Sequence, residues 1–398
     1  MKKYDSHIDG FRFSATTAGI KRADLERLDF GLVVADVPAA AAAVTTTNIV
    51  VAAPVMLTRE RLQDGLCRAI LVNSGNANAF TGDQGMRDAI ALTAEVSAAL
   101  KEDPSLVIPL STGVIGVPLP LERMKARIPS LIEGLETGSA KDVAQAMLTT
   151  DTRPKMVSLK AETSFGGVRL LGMAKGSGMI APRMATMLAV LLIDARVHPV
   201  FLREALHVAV EKSFNSITVD GDMSTNDTVV ALAGGSPHAR TLESKDRAAF
   251  SDLLTDACMD LARQIIRDGE GATKAVEIRV QGAPDTAAAL RIARKIAESS
   301  LVKTAIHGED PNWGRIVSSA GAAGIAFDPN VLDLFIEDVQ IVRSGALASN
   351  DWEPSAREVM KRREYVITLD LKAGQAQGAI LTTDLSEEYV KINADYRS

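Results

Sequence analysis

A run of small and flexible residues near the middle of the chain leads to a threonine that could act as a nucleophile. The segment Lys175-Gly-Ser-Gly-Met-Ile-Ala-Pro-Arg-Met-Ala ends at Thr186, and the apolar run 187–193 follows it. A threonine hydroxyl is a weak nucleophile until an adjacent base activates it. The residue's own α-amine could be that base, because its pKa of about 7.7–8.0 suits general-base work near neutral pH. Thr186 gains an α-amine only if the bond after Ala185 is cut.

The hydroxyl of Thr186 could make that cut itself by attacking the carbonyl carbon of Ala185. Water would open the resulting ester and leave chains 1–185 and 186–398. The small Ala185 and the glycine-rich approach make the required distorted backbone sterically feasible. However, Ala-Thr is a common dipeptide, and the residues alone favour Thr186 as an ordinary residue at the start of a strand.

Two polar segments follow predicted buried strands elsewhere in the chain. Asn73-Ser-Gly-Asn-Ala-Asn-Ala79 follows the apolar run 68–72, and Ser111-Thr-Gly113 follows the apolar run 108–110. A hydroxyl beside a glycine at a strand end can direct an O–H and an N–H at one point, as an oxyanion hole requires. Both segments are also typical of structural turns, so their residues alone leave Thr112 and Gly113 open between the two roles.

No metal site is predicted. The five histidines have no paired spacing, and the polar loop 215–228 lacks the closing glutamate of a twelve-residue calcium loop. The two cysteines, Cys67 and Cys258, are expected to be buried reduced thiols.

Composition and charge limit the class of protein. The 398 residues are 46% hydrophobic, which predicts a substantial core divided between two or three structural units. The net charge of −6, without a basic block, argues against nucleic acid or an anionic membrane as the main partner. No stretch approaches about 20 apolar residues, and the first residues lack targeting features, so we expect a cytoplasmic protein without membrane association.

Hydrophobic periodicity predicts a mixture of strands and helices. Strands are predicted at 30–36, 49–52, 68–73, 168–173, 187–193, 275–280, 334–342, 365–371 and 379–383. Helices are predicted at 84–101, 119–136, 139–148, from Pro199 onward, at 250–267 and at 284–299. The order lacks strict strand–helix alternation, and no glycine-rich nucleotide motif is present. We therefore expect an α/β (mixed α+β) fold with two packed α/β lobes that meet near the central stretch.

The stretch from Lys175 to Leu188 resembles the signature of the ornithine acetyltransferase (glutamate N-acetyltransferase) family. Other segments are similar to that family in collinear order, so the resemblance covers the whole chain. These segments are Gly10–Phe13, Thr47-Asn48, Ala53-Pro54, Asn73–Asn78, Ser111–Gly116, Thr149–Thr152, Asp220–Asp227, Gly269–Lys274, Asp310–Arg315 and Asn393–Tyr396.

The resemblance implies a role for individual residues. Thr186 would be the nucleophile, released by self-cleavage after Ala185, so that 1–185 and 186–398 become separate α and β chains in the manner of N-terminal-nucleophile enzymes. Thr112 and Gly113 would form the oxyanion hole. Substrate contacts would fall on Thr152 (chosen over Thr150), Lys175, Thr186, Glu270, Asn393 and Ser398.

The implied reaction transfers acetyl from N2-acetyl-L-ornithine to L-glutamate through an acetyl ester on Thr186, within arginine biosynthesis. Lys175 would pair with a substrate carboxylate and Glu270 with an ammonium group. No cofactor is implied, and acetyl-CoA would be a substrate only if the protein also makes N-acetylglutamate from it. The cut chains would assemble as an α₂β₂ heterotetramer.

Two positions depart from the family's pattern, and two rival classes of function stay open. Arg183 stands where many members have asparagine, and Ser398 replaces a terminal threonine. An aminopeptidase or amidase would use the same kind of nucleophile. A non-catalytic binding protein would be favoured by loss of Thr186, Thr112 or Gly113, and all three are present.

Overall fold

The computed structural model describes residues 7–22, 26–181 and 187–395, which divide into two compact units. The first unit contains the described residues up to Asn215 together with Asp222–Ile265. The second contains Ser216–Gly221 and the described residues from Ile266 onward. This division follows spatial contacts, whereas the predicted chains 1–185 and 186–398 concern covalent processing and stay a prediction.

Strands of the described residues, in chain order, are β1 Phe11–Thr16, β2 Phe30–Thr45, β3 Leu66–Asn73, β4 Val107–Ser111, β5 Lys155–Thr163, β6 Gly166–Lys175, β7 Leu188–Ile193, β8 Ile217–Thr218, β9 Thr228–Ala233, β10 Ala275–Ala283, β11 Asp333–Ile336, β12 Val339–Arg343, β13 Ala346–Leu347, β14 Glu364–Asp370 and β15 Ala376–Thr383. The α-helices are α1 Ala53–Arg61, α2 Gly82–Leu100, α3 Leu121–Lys125, α4 Ile128–Glu133, α5 Ala140–Ala146, α6 Pro199–Lys212, α7 Arg247–Arg267, α8 Thr286–Ala297, α9 Ser300–His307, α10 Trp313–Gly321, α11 Trp352–Met360 and α12 Glu387–Asp395.

The first unit is built on a sheet in the order β4-β3-β2-β9-β7-β6-β5. An eighth strand, β1, is not part of this linear order and pairs antiparallel with β2. Strands β7 and β9 lie side by side in parallel near the middle, and every residue of both is buried. Such uniformly apolar strands are typical of a sheet covered on both faces. Strand β2 is long enough to pair with β3 through its first part and with β9 through its alanine-rich second part.

A second sheet, in the order β13-β12-β11-β14-β10-β15-β8, forms the second unit. Its core includes the alternating residues Val276, Ile278 and Val280 of β10. Helix α8 packs against this sheet, and its first turn is capped by Asp285, whose carboxylate accepts from the N–H of Ala288. The expected mixed α/β class with two sheets is therefore confirmed.

Most predicted elements overlap observed ones, but three predictions are wrong. The predicted helix 119–136 is instead the two helices α3 and α4, because α3 ends at Lys125 and Pro129 stands in the first turn of α4. Residues 49–52 do not form a strand, because Asn48 accepts a hydrogen bond from the N–H of Val50 and turns the chain before α1 begins. The predicted strand 334–342 is a hairpin, since Glu337 adopts a φ of +47° between β11 and β12. The elements that were not predicted include strands β1, β5, β8, β9 and β13 and helices α1, α9, α10, α11 and α12.

Both cysteines are buried free thiols, as expected. Burial raises the pKa of Cys67 and of Cys258 to about 12, so neither thiol ionises near neutral pH. In the part of the chain that the structure describes, no helix has the length and apolar character needed to cross a membrane.

Candidate active site

The parallel strands β3 and β4 bring the two predicted turn segments together at one edge of the first sheet. Asn73 and Ser111 are register partners at the ends of these strands, and the Ser111 hydroxyl donates to Asn73 Oδ1 at 2.7 Å. The N–H of Thr112 donates to the carbonyl of Asn73 at 3.0 Å. Because parallel strands end at the same edge, the two polar segments form one structure rather than two separate turns.

Gly113 is held where no other residue fits. Its φ is +135°, and a Cβ at this position would lie 2.3 Å from the carbonyl carbon of Gly75 and 2.4 Å from the backbone nitrogen of Asn76. Only glycine tolerates both the backbone conformation and this approach. The side chain of Asn76 joins this segment to the chain that follows Gly113, because its Nδ2 donates to the carbonyls of Val117 and Pro118.

Lys175 lies at the end of β6, buried, with its ammonium beside the predicted oxyanion hole. Its Nζ donates to Thr112 Oγ1 at 3.3 Å, and its side chain is among the largest that are fully buried. Lys175 also pairs with Leu188 at the start of β7. The antiparallel register therefore places a buried positive charge next to both the Thr112 hydroxyl and the first residues of β7.

A buried carboxylate organises the backbone around Lys175. Asp151 accepts hydrogen bonds from Lys155 Nζ and, at 2.7 Å, from the N–H of Gly176, and both side chains of the Asp151–Lys155 pair are 0% exposed. Burial acts to raise the pKa of Asp151, but the charges of Lys155 and Lys175 outweigh it and bring that pKa to about 2. Thr152, the next residue, is exposed at the surface beside this anchor.

The start of β7 is anchored to the neighbouring strand through Met187. Its N–H donates to Asp227 Oδ1 at 3.1 Å, and its carbonyl accepts from the N–H of Thr228 at 3.1 Å. Burial raises the pKa of Asp227 well above its usual range, against the opposing effects of the Met187 N–H, the charge of Lys175 and the polar groups of Ser224. The Asp227 carboxyl group therefore keeps its proton to a higher pH than an exposed aspartate does.

Glu270 and Asn393 meet in the second unit. Glu270 is buried, and its Oε2 accepts from Asn393 Nδ2 at 2.8 Å. The loop that carries Glu270 is fixed at Gly271, where φ is +64° and a Cβ would lie 2.4 Å from the backbone nitrogen of Tyr389. The Ser386 hydroxyl also donates to the carbonyl of Gly271 at 2.6 Å.

Asp384 holds the far end of the same loop. Its Oδ1 accepts from the N–H groups of Thr273 and Lys274, and its Oδ2 accepts from the Thr273 hydroxyl at 2.6 Å and lies 2.7 Å from His307 Nδ1. Burial acts to raise the pKa of Asp384, but the hydrogen bonds from Thr273 and His307 outweigh it and hold the pKa below its usual range. The carboxylate therefore stays ionised and keeps the Glu270 loop in place.

Among the predicted site residues, the structure brings Thr112, Gly113 and Lys175 together in the first unit, with Thr152 joined to them through the backbone. It brings Glu270 and Asn393 together in the second unit. Three predicted residues, Ala185, Thr186 and Ser398, lie outside the described residues, as does Arg183.

Sequence reasoning missed the residues that position these groups. Asp151, Asp227 and Asp384 are buried carboxylates whose partners come from distant parts of the chain. The only signal was that each lies in or beside a polar run next to a buried strand. Within the described residues, no cluster of three or more histidines, cysteines or carboxylates is arranged to hold a metal ion.

The comparisons with known proteins agree over nearly the whole chain. The ArgJ family model matches residues 12–398. The arginine biosynthesis bifunctional protein ArgJ of Geobacter sulfurreducens is 48% identical over 394 residues, which cover 98% of this chain and 100% of that protein. The protein of the same name from Chlorobium chlorochromatii is 48% identical over 391 residues, which cover 98% and 90%.

Among solved structures, the bifunctional ArgJ of Bacillus halodurans is 39% identical with a TM-score of 0.48, over 51% of this chain and 96% of that one. The family model and the two sequence relatives cover nearly the whole chain, including the segments that carry the candidate site. On that evidence, this chain belongs to the ArgJ family.

Proposed function

We propose that this protein cuts itself between Ala185 and Thr186 and then transfers acetyl from N2-acetyl-L-ornithine to L-glutamate, as a step of arginine biosynthesis. The observation that carries the proposal is the match to bifunctional ArgJ proteins over 98% of the chain. The geometry around Thr112 supports it, because the buried Lys175 donates to the Thr112 hydroxyl directly beside Gly113, and these are the kinds of group that stabilise an oxyanion.

In the self-cleavage step, the Thr186 hydroxyl attacks the carbonyl carbon of Ala185. The C–N bond breaks, the nitrogen takes the hydroxyl proton, and an ester joins the two residues. Water then hydrolyses that ester, which leaves a carboxylate on Ala185 and a free hydroxyl and α-amine on Thr186. The products are the chains 1–185 and 186–398.

In the transfer reaction, the α-amine of Thr186 accepts the hydroxyl proton while the oxygen attacks the acetyl carbonyl of N2-acetyl-L-ornithine. The acetyl C–N bond breaks and the proton returns to the departing amine, so ornithine leaves and acetyl-Thr186 remains. The amine of L-glutamate then attacks this ester, which yields N-acetylglutamate and regenerates the hydroxyl. Thr112 and Gly113 stabilise the negative oxygen that develops in each half-reaction.

The substrates carry a carboxylate beside the reacting nitrogen and a charged side chain. Lys175 is the buried cation next to the proposed oxyanion hole, so it suits a substrate carboxylate. Glu270 suits an ammonium, and its carboxylate is oriented by the hydrogen bond that Asn393 Nδ2 donates to Oε2 at 2.8 Å. Thr152 and Ser398 supply further substrate contacts in this proposal.

The proposal also covers the cofactor requirement, a second acetyl donor, the assembly and the location of the protein. The reaction proceeds without a cofactor, and acetyl-CoA serves as a second acetyl donor to glutamate, in keeping with the word bifunctional in the relatives' names. The cut chains assemble as an α₂β₂ heterotetramer in the cytoplasm. Measuring N-acetylglutamate formation from acetyl-CoA and glutamate tests the second activity separately.

The deciding experiment combines denaturing mass analysis with an assay of ornithine release. The purified protein should give two fragments, the second beginning at Thr186, and release ornithine from N2-acetyl-L-ornithine only when glutamate is present. Thr186→Ala should give an intact, inactive chain. An intact wild-type chain with full transferase activity contradicts the cleavage, and hydrolysis without glutamate would identify an amidase instead.

A further inference from the structure

The polar run Asp220–Asp227 is similar to the family, but the resemblance implied no role for it. It ends in two adjacent residues whose side chains contact different parts of the candidate site. Asn226 Nδ2 donates to the carbonyl of Ala77 at 2.6 Å and to the carbonyl of Ser111 at 2.9 Å. Asp227 Oδ1 accepts from the N–H of Met187 at 3.1 Å. We call this dipeptide the 226–227 brace.

The first arm of the brace fixes the proposed oxyanion turn. Ser111 immediately precedes Thr112, and Ala77 lies in the segment that pairs with it through the bridge between Asn76 and Thr112. Asn226 is itself held, because its Oδ1 accepts from the Thr225 hydroxyl at 2.6 Å and its N–H donates to Ser224 Oγ at 3.1 Å. Its amide is therefore oriented before it reaches the turn.

The second arm fixes Met187, which directly precedes β7 and follows Thr186 in the sequence. The N–H of Met187 belongs to the planar peptide unit that joins residues 186 and 187, so a hydrogen bond to it limits rotation of that unit. Asp227 is 0% exposed, and its carboxyl group faces both the Met187 N–H and the polar groups of Ser224. A buried carboxyl group is costly and persists only where its hydrogen bonds compensate.

Asn226 and Asp227 are consecutive residues directly before β9, so their Cα atoms are about 3.8 Å apart. The two arms therefore start from neighbouring points of the backbone. We propose that Asn226 and Asp227 are positioning residues that set the distance between the oxyanion turn at Thr112 and the nucleophile strand β7. This inference deepens the proposed function and rests on it.

The raised pKa of Asp227 refines how its arm works. A protonated carboxyl group keeps one oxygen as an acceptor for the Met187 N–H and presents an O–H on the other. Lys175 is the charged group that acts on it, and its attraction is too weak to overcome burial. Asparagine has the same shape and no charge, so Asp227→Asn preserves the acceptor, whereas Asp227→Ala removes it.

The test follows self-cleavage over time in freshly made full-length protein and then measures acetyl transfer by the cut fraction. Asn226→Ala and Asp227→Ala should each slow cleavage by about tenfold or more and lower kcat, with KM for glutamate changed by less than about twofold, because a lost buried hydrogen bond displaces the reacting groups. Asp227→Asn should remain within about threefold of the parent.

Asp246→Asn is the matched control. Asp246 is also a buried aspartate with backbone and hydroxyl partners, but it binds Ser164 at the tip of the β5–β6 hairpin, at the opposite end from Lys175. If an alanine variant does not fold, Asp227→Glu replaces it, since one extra methylene displaces the acceptor oxygen and should also slow cleavage.

The outcomes separate the two proposals. A wild-type protein that never cuts overturns the proposed function. A wild-type protein that cuts, alongside brace variants that cut and transfer at the rate of Asp246→Asn, overturns the brace alone. Equal losses in Asp227→Asn and Asp227→Ala contradict the neutral carboxyl group, because they would mean that the charge is required.

Discussion

Gly113 shows how much of the candidate site depends on a single missing side chain. Two glycines of the same segment adopt a positive φ, but only one is crowded. A Cβ on Gly113 would lie 2.3 Å from the backbone of Gly75, whereas a Cβ on Gly116 would meet nothing within 4 Å. The φ of +135° at Gly113 also lies further from the left-handed region than the +77° at Gly116, so both the backbone conformation and the close approach disfavour alanine more at Gly113.

Gly113→Ala should therefore reduce the free energy of unfolding by more than Gly116→Ala, which should cost only about 1–2 kcal/mol of backbone strain. Gly113→Ala should also lower the rate of acetyl transfer, because the backbone at Thr112 must move to relieve the contact. Chemical denaturation and transferase assays of the two variants measure these effects. Equal losses of stability and activity in both would contradict the crowding argument.

Asp227 makes a second prediction at the scale of one residue. Its folded pKa lies above the value of about 3.9 typical of an unfolded chain. Between those two values the folded state holds a proton that the unfolded state releases, so the free energy of unfolding contributed by this group falls as pH rises through that interval. Asparagine cannot titrate and removes this dependence.

The change in melting temperature caused by Asp227→Asn should therefore shift in favour of the variant as pH rises from about 4 to 7. Both proteins carry Thr186→Ala, so that a single uncut chain is compared. Differential scanning fluorimetry across that range measures the difference. A difference independent of pH would mean that Asp227 is ionised in the folded protein.

At the scale of elements, the buried pair of Asp151 and Lys155 joins the loop before β5 to the start of β5, and Asp151 also accepts from the N–H of Gly176 just after β6. Removing one partner of a buried ion pair leaves an uncompensated charge and costs about 3–5 kcal/mol, whereas an exposed pair contributes about 0–1 kcal/mol. The exposed pair of Glu353 and Arg357 in α11 offers the comparison within the same chain.

Asp151→Asn should lower the free energy of unfolding of the first unit by several times the loss in Glu353→Gln. It should also raise KM for glutamate, since the backbone at Gly176 and the side chain of Lys175 lose their anchor. Denaturant titration and steady-state kinetics provide the two measurements. A loss of less than about 1 kcal/mol would indicate that Lys155 finds another partner.

The elements that the sequence predicted well are those with strong periodicity. Helix α7 and strand β10 carry regular apolar spacing, and the fully apolar β7 admits no other placement. Strand β9 was missed because it follows a polar run directly, and the second part of β2 was missed because an alanine-rich run is typical of a helix rather than a strand. In each case pairing within the sheet determines the strand conformation that the local sequence does not predict, since β9 and the second part of β2 pair with each other.

The candidate site divides in the same way. Thr112, Gly113 and Lys175 were available from motifs, because family resemblance preserves the residues that contact substrate. Asp151 and Asp227 lie within such motifs, but no role was predicted for them, because their importance lies in partners 25 and 40 positions distant along the chain. Nothing in the local sequence distinguishes a buried aspartate with such a partner from an exposed one in a loop.

At the scale of the molecule, the proposed cut would leave two chains that both contribute strands to the first sheet. Strands β2 and β6 belong to residues 1–185, whereas β7 and β9 belong to residues 186–398. In the first sheet, the pair β9-β7 is inserted between β2 and β6. The two strands of chain 186–398 are therefore hydrogen-bonded on either side to strands of chain 1–185: β9 to β2, and β7 to β6.

This arrangement predicts that cleavage does not separate the chains. The six register pairs between β2 and β9 and the six between β6 and β7 would all have to break, and the fully buried faces of β7 and β9 would meet water. In native size-exclusion chromatography the two fragments should co-elute, and they should part only at the denaturant concentration that unfolds the first sheet. Elution of fragment 1–185 alone under native conditions would contradict the shared sheet, and uncut Thr186→Ala protein marks the expected position of the joined chains.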